Sequence, residues 1–171
     1  MVNKLIFSIL FLLMLLGVAI YFRSEFKYST MARSHAMGLN SKMKEAGNAE
    51  AIVDTMEQNK GIVFATDFVQ GEKQLAKLCK PDCLNAPEYY AAYGRLVESI
   101  HPEKLWASKN LFKDKVTTFI FQKEKQKLSD ELFKNRMYFS DNYKSVKSDQ
   151  QKGILLELVK KIDLKITELK K

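Results

Sequence analysis

Residues 5–22 read LIFSILFLLMLLGVAIYF. Only Ser8 and Gly17 depart from apolar character, and no charge interrupts the run. A helix rises 1.5 Å per residue, so the segment reaches about 27 Å, close to a bilayer hydrocarbon core of roughly 30 Å. Ser8 can return its hydroxyl to the carbonyl one turn back, which keeps the span intact. Tyr21 stands where an interfacial aromatic belongs, and Arg23 marks the water boundary. The stretch from Leu5 to Phe22 is therefore expected to be a single membrane anchor. A cleaved leader is the competing reading, because Lys4 gives a short positive start and Gly17-Val18-Ala19 offers small residues for a peptidase. Ile20-Tyr21-Phe22 prolong the apolar run past that point, which favours an anchor that stays.

Beyond the anchor lies enough material for one core. The full chain has 171 residues and is 46% hydrophobic, and removing the first 22 leaves about 41% of the rest apolar. Three prolines and seven glycines argue against a long disordered linker or a turn-rich β protein. Two cysteines exclude a disulfide-dense scaffold and an all-cysteine zinc cage.

Both cysteines fall within KLCKPDC, as Cys79 and Cys83. Pro81 must stop the preceding helix near Cys79, since it lacks an amide hydrogen and restricts Lys80. Downstream, Asn85 with Glu88 reads as a capping box, and Pro87 is tolerated in a first helical turn. The thiols thus bracket a helix–loop–helix corner, where a disulfide would contribute about 2 kcal/mol by chain entropy. Two reduced thiols in a cytoplasmic body are the plain alternative. A metal site would need His35 and His101 to converge on both sulfurs, so no metal ligand is assigned. Orientation follows from the same pair. Arg23, Lys27 and Arg33 put more positive charge on the body side, which favours a cytoplasmic body. The short positive start and a persistent disulfide favour export, and an exported body on the inner membrane is the expectation.

The remaining segments read as helices. Phe26, Met31, His35, Leu39, Met43 and Ala46 recur at spacings of three to five, with a break expected near Gly38 or Gly47 and a stop at Asn59-Lys60-Gly61. Tyr89, Tyr93, Leu96, Val97 and Ile100 share one face, and His101-Pro102-Glu103 ends that helix. Leu105, Trp106 and Phe112 follow, then Val116, Phe119 and Ile120, and Leu128, Leu132, Phe133, Tyr138, Phe139, Tyr143 and Val146 continue a helical face. Val116–Gln122 (VTTFIFQ) is β-branched and aromatic enough for a strand, so an α+β body with a small sheet is the minority alternative. The last helix has the clearest stripe, namely Leu155, Leu158, Val159, Ile162, Ile166 and Leu169, with Ser148 and Gln151 as its expected capping box. The fold expected is mainly α: a transmembrane helix over 1–22, a membrane-proximal helical segment over 23–60, and a helical domain over 61–171, with about five helices in the body.

Charge separates the two halves. Residues 23–101 are balanced at 10 basic and 10 acidic, whereas 102–171 carry 17 against 10. Lys160, Lys161, Lys165, Lys170 and Lys171 crowd the C-terminal end and are the candidate contacts for an acidic protein or lipid surface. Nucleic-acid binding has no support beyond charge, since Arg136 is the one arginine in this half. There is no Gly-rich phosphate loop, nucleophile elbow or paired-histidine motif, and no cofactor is implied. These features predict a non-enzymatic, membrane-anchored scaffold or assembly subunit that holds a partner protein in the cell envelope. Three other readings share parts of the pattern: a periplasmic sensor or regulator of a lysis or secretion component, a small exported enzyme with a cleaved leader, and a cytoplasm-facing adaptor for acidic lipid or protein.

Overall fold

The first 42 described residues form one continuous helix, α1, Val2–Met43. The computed structural model describes residues 2–80, 82–110 and 115–171; Pro81 and Phe112, both used in the sequence reading, lie outside them. After α1 come α2 (Ala49–Gln58), α3 (Ala65–Cys79), α4 (Pro87–Glu98), α5 (Lys115–Asp141) and α6 (Asp149–Leu169). Among the described residues the remaining regular structure is short 3₁₀ turns, and there is no strand. The chain is mainly α, with an N-terminal helix long and apolar enough to cross a membrane.

Helix α1 changes character along its length. From Ile6 to Ile20 its side chains stand exposed, as does Phe22. From Tyr28 onward, Tyr28, Ala32, Ala36, Leu39 and Met43 are buried at the three- and four-residue spacing of one helical stripe. Gly38 does not break the helix, because its position faces open space and the flanking stripe is held by packing. Asn48 restarts the chain as the N-cap of α2, its side chain accepting from Ala51 N at 2.8 Å. That helix ends as its sequence predicts: Lys60 and Gly61 take positive φ, and Gly61 N donates to Met56 O at 2.8 Å.

Central in the body is α3, which packs against α1, α2, α4 and α5. Phe68 and Leu75 on α3, Tyr93 and Leu96 on α4, Leu128, Leu132 and Phe139 on α5, and Leu155 and Ile162 on α6 are fully buried. Tyr93 and Phe139 meet edge to face with ring centroids 5.3 Å apart, a geometry that suits the aromatic quadrupoles. The α6 stripe docks on α4 and α5, as the sequence suggests for a helix short of an autonomous coiled coil.

Four local expectations are corrected. Val116–Gln122 is the start of α5 and not a strand: its β-branched residues are carried by a 27-residue helix whose buried face continues through Ile120, Phe121 and Leu128. Phe119, Phe133 and Tyr138 lie outside the core at 51%, 56% and 46% exposure, because Leu128, Leu132 and Phe139 set a buried line that their helical angles miss. Asn85 does not cap α4; Ala86 holds the cap position, while the Asn85 amide donates to Asp82. Ser148 makes no side-chain cap bond, and Gln151 instead donates to Asn85 O at 3.1 Å across the interface.

Two glycines test the packing in opposite directions. A Cβ on Gly71 would meet Met56 Sδ at 2.5 Å and Leu96 Cδ1 at 3.2 Å, whereas nothing lies within 4 Å of one on Gly153. Gly71→Ala is expected to lower unfolding stability by about 1–2 kcal/mol, overpacking exceeding the helix-propensity gain. Gly153→Ala should raise it by roughly 0.5–1 kcal/mol, both read from denaturant melts of the detergent-solubilised full chain.

Candidate functional site

A buried arrangement of polar groups sits where α1, α3 and α5 meet, at the N-terminus of α3. Four amides there have no partner within the helix, and side chains supply some of the acceptors. Asp67 Oδ2 accepts from Val63 N at 3.0 Å and Phe64 N at 2.9 Å, folding the chain back at the helix start. From α5, Glu124 Oε2 accepts from Ala65 N at 2.5 Å. The other Asp67 oxygen takes a third bond, from His35 Nδ1 of α1 at 2.9 Å. Two carboxylates from different helices thus close on one helix end, where the dipole favours negative charge.

Both carboxylates are buried, Asp67 completely and Glu124 at 1% exposure, while His35 keeps 30% of its side chain in solvent. Burial pushes the Asp67 carboxyl above its ordinary value; the His35 hydrogen bond and the amides of Phe64 and Val63 pull it partly back. Glu124 has Lys127 Nζ 3.6 Å from its second oxygen, and the Tyr28 phenol lies beside the same carboxylate. The aromatic rings of Tyr28, Phe64 and Trp106 pack together around this corner, and His35 lies against Phe64 at 5.5 Å.

Alongside runs an open groove of about 340 Å³ between α1, α3 and α5, lined among others by Ser29, Arg33, Asn40, Thr66, Gln70 and Lys127. Chemically the cluster is a clamp. Both Asp67 oxygens and Glu124 Oε2 are hydrogen-bonded, while buried Glu124 Oε1 has no hydrogen bond and only the Lys127 ammonium at 3.6 Å; the three bonded oxygens tie α1 and α5 onto α3. Among the described residues there is no cluster of three or more His, Cys, Asp and Glu with the geometry to hold a metal ion.

The residues singled out from sequence are placed as follows. Cys79 and Cys83 are bonded, S–S 2.00 Å with Cα atoms 4.7 Å apart, and the Tyr90 hydroxyl donates to Leu84 O within the same corner. His35 is one arm of the clamp; His101 lies apart from it, with Nδ1 3.4 Å from Glu103. Lys161 pairs with Glu98 at 2.6 Å, and Lys165 donates to Ile100 O at 2.8 Å and pairs with Glu168 at 2.7 Å. These two lysines tie α6 down, whereas Lys160, Lys170 and Lys171 are exposed. Asp67 and Glu124 were not singled out from sequence. An acid at the third position of α3 is a cap signal that was open to reading, but Glu124 lies 59 residues from its amide partner and nothing local marks it. No protein-family model, curated protein or solved structure matches the chain.

The raised Asp67 carboxyl has a signed consequence. The folded state holds this proton more tightly than the unfolded chain. Its contribution therefore falls as pH rises from the ordinary aspartate value, about 3.9, to the raised native one, and is level above it. Asp67→Asn should abolish that fall in a stability-versus-pH series. Asp67→Ala, which leaves two amides and His35 without their acceptor, is expected to cost about 2–4 kcal/mol.

Proposed function

We propose that this chain is a membrane-anchored, non-enzymatic scaffold or assembly subunit of a cell-envelope complex, with its body on the exported side of the inner membrane. The observation that carries the reading is four large apolar side chains left exposed on α5 and α6. Phe133 and Met137 stand one helical turn apart on α5, and Leu156 and Leu164 on the neighbouring α6, with exposures of 56%, 39%, 47% and 72%. Arg136 Nε lies 3.2 Å from Asp163, joining the two helices along that side. An exposed apolar patch with a polar rim is a common mark of a protein contact.

The rim suggests the partner's chemistry. Lys134, next to Phe133 in the chain, and Lys160, one turn from both Leu156 and Leu164, are exposed, in the half of the chain where basic residues exceed acidic ones by 17 to 10. A partner protein presenting apolar side chains among carboxylates fits such a surface. Export is supported by the Cys79–Cys83 bond, which persists in an oxidising compartment. The unbroken run of α1 from the anchor into the core supports a body held at a fixed place on the membrane.

Two measurements test the reading. In mild detergent, the complex extracted from membranes should be larger than the 19.7 kDa chain and its micelle, and Phe133→Asp with Leu164→Asp should dissociate it while the melt is unchanged. A native size insensitive to both substitutions would count against the scaffold. In intact cells, an impermeant thiol reagent should label Cys79 and Cys83 only after reduction. Free thiols that react only in opened cells would place the body in the cytoplasm.

A further inference from the structure

We propose that the first turns of α5 rest on the bilayer surface beside the anchor, with Phe119 in the interfacial layer, giving the body a second contact with lipid. The proposal rests on residues 5–22 being the membrane span. It starts from two contacts one turn apart. The ring of Phe119 lies against Tyr21, centroids 5.9 Å apart, and Lys123 Nζ lies 3.1 and 3.2 Å from the two oxygens of Glu25. Going from residue 21 to 25 on α1 thus matches going from 119 to 123 on α5. The two helices run in the same direction here, and equal depth follows: Phe119 is level with Tyr21.

Tyr21 is the penultimate residue of the apolar run, at the depth where aromatic rings gather on membrane helices. Its hydroxyl donates to Glu25 Oε1 at 3.3 Å, so the polar end points away from the hydrocarbon and toward the Glu25–Lys123 pair. Phe119 cannot share that depth without meeting lipid. It is 51% exposed, on a helix that elsewhere buries Ile120 and Phe121 at 2% and 8%. On α1, Phe22 and Phe26 are exposed at 66% and 75%, one turn apart. In water, three large aromatic surfaces at one end of a small body are a cost. At a lipid interface the same surfaces are stabilising.

The charges agree with that placement. Arg23 and Lys27 follow the span and are exposed; Lys115, also exposed, lies about 6 Å to the hydrocarbon side of Phe119 and has to reach back along its own stem. Long cationic side chains at this level reach phosphate headgroups while their stems lie along apolar surface. The partner is therefore the lipid of the membrane that α1 itself enters.

The test places a fluorophore at the contact. In wild-type protein Trp106 is the one tryptophan. It packs on Tyr28, about 10 Å further along α1 than Tyr21, and serves as the baseline. Full-length Phe119→Trp is reconstituted in phosphatidylcholine–phosphatidylglycerol vesicles with and without lipid brominated high on the acyl chain. Leu13→Trp, within the span, is reconstituted in parallel. The added emission of Phe119→Trp should be blue-shifted and lose roughly half its intensity with the brominated lipid, as for a ring in the interfacial layer. Quenching of Leu13→Trp with none for Phe119→Trp beyond the baseline would overturn the proposal while leaving the anchor in place. Quenching of neither would overturn both.

Discussion

Two buried carboxylates closing on the start of α3 hold this body together. Removing an ion from water costs several kcal/mol, and the cost is offset only where its oxygens are fully bonded. Asp67 meets that condition with two amides and His35, whereas Glu124 meets it at one oxygen only, through the Ala65 amide, its second oxygen having no hydrogen bond and the Lys127 ammonium 3.6 Å away. Because α3 is the helix touching α1, α2, α4 and α5, fixing its end fixes the frame. His35 and Glu124 also determine which faces of α1 and α5 turn inward. A one-residue rotation of either helix would leave a buried charge without a partner, which a purely apolar contact would not penalise so sharply.

The clamp also accounts for the two characters of α1. A 42-residue helix is about 63 Å long, and only its second half has a core to bury against. There the small side chains of Ala32 and Ala36 let α3 approach, and Tyr28, Leu39 and Met43 fill the space on either side. The first half has no protein surface against it from Ile6 to Ile20. Gly38, which by propensity could have hinged the helix, lies between Ala36 and Leu39 in the packed half, where the neighbours hold it.

What could be read from sequence follows the range of the interaction. The long apolar helix is a matter of composition, the α6 stripe of period, and the Cys79–Cys83 corner of one proline and two thiols, and each is contained within about twenty residues. The cap positions failed where a distant partner competed. Gln151 is spaced to answer Ser148, yet it donates to Asn85 O, because α6 packs where that carbonyl needs a donor. Phe119 and Phe133 failed for a different reason. A long helix with aromatic residues on several sides has more than one plausible inner face, and only the neighbours decide which is buried. The clamp itself joins residues 35, 67 and 124, and no local pattern links those positions.

Along α5 these errors of face become informative. Phe119 and Met137 are 18 residues apart, five full turns, so they share one side of the helix, and Phe133 lies within about 40° of it. That side was discarded by the core along its whole length. Its near end is level with Tyr21, and its far end is about 27 Å further out. If the near end meets lipid and the far end meets a partner, one stripe of α5 serves both. The partner is then held roughly 20–30 Å from the bilayer, and α1, rigid through Met43 and clamped by His35, keeps that distance constant. A hinge at Gly38 would not disturb it, because the ties at Glu25, Tyr28 and His35 all come earlier in α1 than Gly38. On the proposed reading, the height of the docking face above the membrane is set by α5 and the first half of the packed α1, and not by α2, α4 or the disulfide corner.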